Sequence, residues 1–386
     1  MVTLKAAGHA TFTAHAGASS ATSTLSTIDA LAARSVSIGG FHTCALGVDS
    51  KAYCWGLNMY GQLGVPLISE STVPLPVSGG LSFKAVSVHA HDTCALALDG
   101  SAYCWGLNSD GQLGNGNYLT QSAPSPVAGG LHFAAVSVGG YHACGLTADG
   151  KIYCWGANGY GQLGVGGGTS GSSVPLLVSA PGVTFTSVSA GSLHTCATAT
   201  GGIAYCWGDN SEAQVGDSTT LTRSVPTLVA RHLAFTSVTS GNRHSCGTVA
   251  SGGVYCWGSD SNGQLGDGAT GFARVAPVAV TGGFSFTAAE GRGGFHSCAL
   301  AAAGKPYCWG ENVAGQLGEG SHTSYSIPVP VTTGLSFASI ATGNRSTCGV
   351  TALGSVYCWG SNVSAQIGNG SKTDTAVPVR VGRTLP

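Results

Sequence analysis

A four-residue motif, Tyr-Cys-Trp-Gly, occurs seven times in the chain and contains all 7 of its tryptophans. Spacings of 50 or 52 residues separate these tryptophans, which are Trp55, Trp105, Trp155, Trp207, Trp257, Trp309 and Trp359. A glutamine follows each motif at a fixed distance: Gln62, Gln112, Gln162, Gln214, Gln264, Gln316 and Gln366. A fixed period of this length is typical of tandem structural repeats. The motif therefore predicts seven copies of one unit, beginning near residues 35, 85, 135, 187, 237, 287 and 339.

Each unit contains four short apolar runs, which the third copy shows at residues 135–138, 143–146, 152–155 and 174–178. The Asp-Gly pair between the second and third runs is typical of a β-hairpin. A proline in the fourth run cannot donate to a strand ladder and favours a sheet edge. Four short antiparallel strands per unit predict an all-β fold, a seven-bladed β-propeller of four-stranded antiparallel blades. Only residues 25–33 show helical periodicity, for about two turns.

The two ends of the repeat array predict how the ring closes. The last apolar run, residues 377–381, is a fourth-strand copy, and the first, residues 36–38, is a first-strand copy. We therefore expect one blade to combine both ends, with the C-terminal strand paired with the first repeat, so that no strand edge is left open. Residues 35–381 would form the propeller, residues 1–34 an N-terminal arm with a flexible linker at 16–24, and residues 382–386 a tail.

The 14 cysteines form seven pairs with constant spacing. The pairs are Cys44 and Cys54, Cys94 and Cys104, Cys144 and Cys154, Cys196 and Cys206, Cys246 and Cys256, Cys298 and Cys308, and Cys348 and Cys358. Because the partners flank a hairpin turn, they should face each other across adjacent strands, and we predict seven disulfides within blades. Buried free thiols are the alternative, and two ligands per blade are too few for structural zinc. Disulfides persist outside the reducing cytosol, which favours an extracellular or cell-surface protein, with the periplasm also open.

The repeat resembles a known family. Gly-x-x-His-(Thr/Ser/Ala)-Cys followed by Cys-Trp-Gly-x-Asn-x-x-Gly-Gln-Leu-Gly is similar to the regulator of chromosome condensation repeat, in a secreted form with a cysteine pair in each copy, across about residues 35–381. The resemblance implies a seven-bladed propeller. That family includes GTPase exchange factors, ultraviolet photoreceptors and propeller-type β-lactamase inhibitors, and fold does not choose among them. No repeat has a long insertion that could act as a wedge, which argues against an exchange factor. Arg243-His244-Ser245 lacks a neighbouring tryptophan, which argues against a photoreceptor. The inhibitor type therefore fits better.

Composition excludes several classes of partner and reaction. Only 8% of the residues are charged and the net charge is −1, so we expect no nucleic acid partner. No apolar run is long enough to span a membrane as a helix. The sequence has no nucleophile elbow, zinc-protease motif or phosphate-binding loop, which predicts a non-enzymatic protein without cofactor or metal. Asp209 and Glu212 could act on a sugar as paired carboxylates, but solvated turn charge is the commoner interpretation.

A histidine precedes the first cysteine of most pairs by two positions: His42, His142, His194, His244 and His296, with Asp92 and Ser346 in the other two copies. One histidine per blade would keep neighbouring rings too far apart to share a metal ion. The recurrence instead predicts a structural hydrogen bond from each ring to local backbone.

Positions that differ between the copies are concentrated on one side of the predicted ring. Loops after the first and third strands should emerge on the same face, and they carry the candidate binding residues Phe41, Met59, Tyr60, His91, Tyr141, Tyr160, Leu193, Arg243, Phe295 and Arg345. Aromatic and arginine side chains on rigid turns suit protein binding.

Three functions remain open from the sequence. The first is binding of a protein partner through this loop face. The second is self-assembly into an extracellular fibre or tube, a homo-polymer in which residues 11–16 of the arm add a strand to a neighbouring copy. The third is carbohydrate binding or action on a polysaccharide.

Overall fold

The structure, a computed structural model, describes residues 9–16, 19–26 and 29–383. Seven four-stranded antiparallel sheets follow one another along the chain, each with its strands in sequence order. This confirms the predicted seven-bladed propeller.

The strands of the first four blades are as follows. Blade one contains β4 (Ala33–Ile38), β5 (His42–Gly47), β6 (Ala52–Leu57) and β7 (Glu70–Pro76), and blade two contains β8 (Phe83–Val88), β9 (Asp92–Ala97), β10 (Ala102–Gly106) and β11 (Gln121–Pro126). Blade three contains β12 (Phe133–Val138), β13 (His142–Thr147), β14 (Ile152–Ala157) and β15 (Gly171–Leu177), and blade four contains β16 (Phe185–Ala190), β17 (His194–Ala199), β18 (Ala204–Gly208) and β19 (Arg223–Leu228).

The remaining blades repeat the pattern. Blade five contains β20 (Phe235–Ser240), β21 (His244–Val249), β22 (Val254–Gly258) and β23 (Arg274–Ala279), and blade six contains β24 (Phe286–Glu290), β25 (His296–Ala301), β26 (Lys305–Gly310) and β27 (Tyr325–Pro330). Blade seven contains β28 (Phe337–Thr342), β29 (Ser346–Thr351), β30 (Val356–Gly360) and β31 (Thr375–Arg380). Outside the blades lie β1 (His9–Ala16), β2 (Ser19–Ser26), β3 (Asp29–Ala30) and β32 (Gly382–Arg383), and three short 3-10 turns span Thr200–Gly202, Ala230–His232 and Ala302–Gly304.

First strands lie at the axis of the disc, and fourth strands lie at its outer edge. The first strand of every blade contacts the first strands of both neighbouring blades. The fourth strand pairs only with the third and forms the free edge of its sheet. Prolines such as Pro175 occupy this edge, where a missing N–H breaks no ladder bond, as the sequence predicted.

All seven predicted disulfides form, one in the central hairpin of each blade. In blade three Cys144 and Cys154 are direct register partners across β13 and β14. Gly150 closes the turn between these strands with a φ of +79°, a conformation that side chains resist. The short turn therefore fixes the register that brings the two sulfurs together. The other six bonds join Cys44 to Cys54, Cys94 to Cys104, Cys196 to Cys206, Cys246 to Cys256, Cys298 to Cys308, and Cys348 to Cys358.

Tryptophan joins each blade to the preceding one. The indole Nε1–H of Trp155 donates to the backbone carbonyl of Gln112 in blade two at 3.0 Å. All seven tryptophans are fully buried and make the equivalent bond, donating to the carbonyls of Gln366, Gln62, Gln112, Gln162, Gln214, Gln264 and Gln316 in order around the ring. The glycine two residues after each glutamine leaves room for the indole, since a Cβ at Gly114 would lie 2.7 Å from Trp155.

The recurring histidines also join blades, and their predicted partner was wrong. His42 Nε2 lies 2.8 Å from the Thr93 hydroxyl of the next blade, not against local backbone. Thr93 donates its own proton to the Gln62 carbonyl at 2.8 Å, so the histidine must donate and carries its proton on Nε2. The same bond recurs at His142, His194, His244 and His296.

Two junctions lack this link. Between blades seven and one Ser346 takes the histidine position, although the Thr43 hydroxyl is present. Between blades two and three the histidine position is Asp92 and the hydroxyl position is Ala143, both fully or almost fully buried. Neither carboxylate oxygen of Asp92 has a hydrogen-bond partner in the described structure. Burial raises the pKa of this carboxyl well above its ordinary value. The second junction is therefore destabilised by a buried acid.

Ring closure differs from the prediction that one blade combines both chain ends. The last fourth strand, β31, pairs with β30 of its own repeat. The ring closes through contacts between complete blades instead. Trp55 and Thr43 of blade one both donate to the Gln366 carbonyl of blade seven, and a backbone bond joins Asn344 N to Gly39 O. The chain ends pair only as a short clasp between β3 and β32. Since the repeated tryptophan contact already joins blade seven to blade one, a shared sheet is not needed.

The N-terminal arm also differs from two predictions. Strands β1 and β2 form an antiparallel hairpin that is a separate two-stranded sheet. The second strand replaces the flexible linker expected at 16–24, and no helix forms in the described part of 25–33. Alternating threonines, which favour extended backbone, explain the hairpin better than the weak helical period.

Restoring the missing junction should stabilise the ring. The double variant Asp92→His with Ala143→Thr recreates the histidine–hydroxyl–carbonyl chain, and we expect it to raise the free energy of unfolding at neutral pH by about 2 kcal/mol. Denaturant unfolding measures this difference. As a matched control, Ser346→His should gain stability alone because its partner Thr43 is present, whereas Asp92→His alone should not. Equal effects of the two single variants would contradict the assignment.

Acid should destabilise the ring through its buried histidines. Burial lowers the pKa of His42, His142, His194 and His296 to about 3 and that of His244 to about 4. A depressed histidine pKa contributes stability that is present above the ordinary value of 6.5 and is lost as the pH falls below it. At about pH 5, we expect each buried histidine to lower the free energy of unfolding by about 2 kcal/mol relative to neutral pH.

Thermal unfolding across this pH window measures the loss. In His142→Gln, the melting temperature should depend less steeply on pH, by the contribution of one histidine. A melting temperature that stays constant from neutral pH to about pH 5 would show that these rings are not held neutral.

Candidate functional site

Loops after the first and third strands of each blade form one face of the disc, here called the loop face. The residue before each histidine position is held there by the same backbone bond, in which its carbonyl accepts the N–H of the second residue after the tryptophan. Examples are Leu57 N to Phe41 O at 2.9 Å and Ser361 N to Arg345 O at 2.8 Å. The side chains at this position are therefore presented equivalently around the ring.

Aromatic side chains cluster on the loop face of blades one and two. Phe41 stacks on His91, with ring centroids 5.0 Å apart and an interplanar angle of 5°. Tyr60 meets the same imidazole edge-on at 5.0 Å. Met59 beside them is 70% exposed. Contact between Tyr60, from a third-strand loop, and His91, from a first-strand loop, confirms that both loop types share a face.

Blade three has two more exposed aromatic side chains on the loop face. Tyr141 is 47% exposed and Tyr160 is 46% exposed, on the first-strand and third-strand loops of the blade. Together with Phe41, Met59, Tyr60 and His91 they form what we call the aromatic crescent, which runs over blades one to three.

The opposite half of the loop face is charged but internally paired. Arg345 forms a two-pronged ion pair with Glu311, with Nε to Oε2 at 2.9 Å and Nη2 to Oε1 at 3.2 Å. Arg243 contacts Glu212 at 3.3 Å. Leu193 and Phe295 at the equivalent positions of blades four and six are partly buried. The two candidate arginines are thus committed to neighbouring carboxylates, unlike the tyrosines of the crescent.

The paired carboxylates considered for sugar chemistry have separate structural partners. Asp209 is buried and accepts hydrogen bonds from Ser211 and from Gln214 Nε2 at 2.8 Å. Glu212 pairs with Arg243. Each carboxylate therefore serves a local contact.

A cavity of about 140 Å³ opens where the first-strand loops meet at the axis. Its lining comes from six of the seven blades and includes His89, Ser192, Asn242, Arg292 and Asn344. Sequence reasoning missed this site. The available signal was one extra residue between Phe286 and His296 of the sixth repeat, which has ten steps where Phe133 to His142 has nine.

Backbone hydrogen bonds form the rim of this cavity. Six of them pass from one blade to the next: Gly40 N to His89 O, Gly140 N to Gly191 O, Ser192 N to Gly241 O, Asn242 N to Gly293 O, Gly294 N to Gly343 O, and Asn344 N to Gly39 O. The backbones approach so closely that a Cβ at Gly39 would lie 1.8 Å from the His89 carbonyl oxygen. Glycine at this position is what allows the rim to close.

No cluster of three or more histidine, cysteine, aspartate or glutamate side chains suited to a metal ion occurs in residues 9–16, 19–26 and 29–383. Within the same residues, no helix has the length and apolar character needed to cross a membrane.

Comparison with known proteins decides the family. The RCC1-like domain matches residues 8–290, and RCC1 repeats match residues 303–350, 354–385 and 337–366. The chain belongs to the RCC1-like family. Its disulfide pairs, one per repeat, are part of this RCC1-like propeller. No match was found among curated proteins.

Solved structures with the same fold come from several organisms. Human WBSCR16 is 22% identical with a TM-score of 0.78, over 87% of this chain and 94% of that one. Prp20p from Saccharomyces cerevisiae is 20% identical with a TM-score of 0.78, over 88% and 87%. The ectodomain of the Arabidopsis thaliana receptor kinase ACR4 is 22% identical with a TM-score of 0.54, over 90% and 99%. At these identities the likeness shows the fold alone.

A side chain at Gly39 should destabilise the border of the axial cavity. Gly39→Ala places a methyl group against the His89 carbonyl, and we expect a loss of about 3 kcal/mol in the free energy of unfolding. Gly159→Ala on the same face is the matched control, because a Cβ there has no atom within 4 Å. Chemical denaturation of both variants tests the difference. Similar stabilities of the two alanine variants would contradict the close approach at the rim.

Proposed function

We propose that this RCC1-like propeller is a non-enzymatic extracellular or cell-surface module that binds a protein partner on its loop face. The aromatic crescent over blades one to three is the observation that carries the proposal. Tyrosine is enriched among the residues that dominate protein interfaces, because its ring buries much area at little entropic cost and its hydroxyl can hydrogen-bond.

The crescent is preorganised for binding. Phe41 and His91 are already stacked, and each loop is fixed by the repeated backbone bond behind it. A partner would therefore order few side chains on docking, which reduces the entropic cost of association. A cluster of exposed aromatic side chains is also expensive to leave in water unless something covers it.

The extracellular part of the proposal is supported by covalent chemistry and by one related structure. Every cysteine in the described residues is in a disulfide, which favours an oxidising compartment. The ectodomain of the receptor kinase ACR4 is an example of this fold outside the cell.

Protein binding is supported by a further likeness. A solved structure of yeast RCC1 (Prp20) has Kap60 bound, and Prp20p is described with binding properties to Gsp1p and histones. These partners belong to the yeast protein, and the present chain would recognise a different surface through its own crescent.

A triple substitution tests the proposal. Met59→Ser, Tyr60→Ser and Tyr141→Ser remove the exposed centre of the crescent, and we expect at least about a hundredfold loss in affinity for the partner, since such anchors often contribute about 2 kcal/mol or more each. The partner is first captured from the native extracellular fraction on immobilised wild-type protein and identified. Its affinity for each purified variant is then measured by calorimetry.

The control removes apolar side chains elsewhere. Leu177→Ser with Leu228→Ser changes exposed residues of the outer edge strands and should leave affinity unchanged. Capture that survives the triple substitution would contradict the loop-face assignment.

Electron microscopy of the same preparations separates binding from self-assembly. Single discs are expected for a binding module. Ordered polymers that disappear when residues 1–28 are deleted would instead favour the fibre or tube, linked through the β1–β2 hairpin, whose two edges have unpaired backbone groups.

A further inference from the structure

The axial cavity contains a charged group that its neighbours neutralise only in part. Arg292 leaves the sixth blade and donates from Nη2 to the Ser137 hydroxyl of the third blade, across the centre of the ring. Ser137 already accepts the Ala190 N–H of blade four at 2.8 Å. The guanidinium thus has one side-chain partner, and Arg292 forms part of the cavity lining beneath the loop face.

Arg292 is exceptional among the seven repeats. Gly291 is the counterpart of Val138, Ala190 and Ser240, because its N–H donates to Thr239 of the preceding blade as theirs donate to a serine there. Arg292 is therefore the extra residue of the sixth repeat and has no counterpart in the other blades. Only the sixth repeat, with its extra residue, places a long cation at the axial cavity. The other six repeats form their blades without such a residue.

Glu290 interacts electrostatically with Arg292 but is a weak counter-ion. It occupies the register position of Ser137, opposite the first cysteine of its blade. Burial raises its pKa to about 7, which leaves it about half protonated at neutral pH. No carboxylate among the described residues comes within the ion-pair distance of 4.0 Å from Arg292.

The rest of the lining offers hydrogen-bond donors without further charge. Asn242, Asn344 and Ser192 contribute amide and hydroxyl groups. His89 is neutral, because burial and then Arg292 lower its pKa to about 4. One cation, partly balanced by Glu290, matches a singly charged anion and would leave a phosphate dianion short of positive charge.

Size and geometry favour a carboxylate. A cavity of about 140 Å³ is close to the roughly 150 Å³ that accommodates benzene in a protein core. An aspartate or glutamate side chain fits this space. The planar guanidinium can bind both carboxylate oxygens at once.

We propose that the axial cavity binds one carboxylate group through Arg292, and that this carboxylate is an aspartate or glutamate side chain of the protein that docks on the loop face. The inference rests on the proposed function. The aromatic crescent would supply most of the buried area, and Arg292 would select partners that present an acidic side chain to the centre of the ring.

The first experiment uses the free chain with sodium acetate as the probe and sodium chloride at equal ionic strength as the reference. NMR follows the side-chain amides of Asn242 and Asn344 during the titration. We expect acetate-specific shifts in the wild type and at least about a tenfold weaker affinity in Arg292→Gln, since charge-assisted hydrogen bonds are lost.

A second variant guards against simple misfolding. Glu290→Gln removes the competing negative charge and should bind acetate about threefold more tightly at about pH 8. Because the two variants shift affinity in opposite directions, a damaged fold cannot explain both results.

The pH dependence of acetate binding gives an independent readout. In the wild type, affinity should rise between about pH 8 and pH 6 as Glu290 is protonated while acetate stays ionised. In this range His89 stays neutral and Arg292 stays charged, and burial also lowers the pKa of the nearby His91. The rise should therefore vanish in Glu290→Gln.

The partner identified by capture provides the second arm. The affinity of this partner for Arg292→Gln should be at least about tenfold lower than for the wild type, because one charged contact is lost. Absence of acetate-specific shifts would overturn the proposal. Acetate binding with unchanged partner affinity would also overturn it, since the cavity would then take a free acid. Either failure leaves the effect of the triple crescent substitution intact, so it is distinguishable from failure of the proposed function.

Discussion

The indole N–H of each tryptophan, bonded to the glutamine carbonyl of the preceding blade, is the contact on which the ring depends. It buries the largest side chain of each repeat between two sheets and satisfies its only polar atom there. The same carbonyl usually accepts a hydroxyl from the next blade, as Gln62 accepts from Thr93. Because the contact between Trp55 and Gln366 is equivalent to the other six, the ring closes without a shared sheet.

In five blades a histidine extends this contact by donating to the hydroxyl that bonds to the glutamine carbonyl. The imidazole donates to the hydroxyl of the next blade, and that hydroxyl donates to the glutamine carbonyl. These hydrogen bonds are oriented the same way around the disc. Asp92 and Ala143 interrupt this series together, so the second junction has lost both partners. The aromatic crescent extends across this junction, from Phe41 of blade one to Tyr160 of blade three.

Repeats that share one scaffold differ in the side chains that they present on the loop face. Blades one to three present exposed aromatic rings, whereas blades five and seven commit Arg243 and Arg345 to nearby carboxylates. At the axis, a single extra residue brings Arg292 into a cavity that is otherwise lined mainly by small and polar groups. An aromatic surface beside one central cation suits a protein partner with an acidic projection.

The sequence alone determined the blade count, the four strands per blade, the cysteine pairs and the proline edge, because each follows from a local pattern repeated at a constant period. Sequence could also place the loop-face residues on one side, since strands alternate in direction. Only the tertiary structure decided ring closure, the partner of each histidine, the pairing of Arg243 and Arg345, and the position of Arg292. These features depend on contacts between residues far apart in the chain, such as Arg292 with Ser137, and no local period specifies which distant groups meet at the axis.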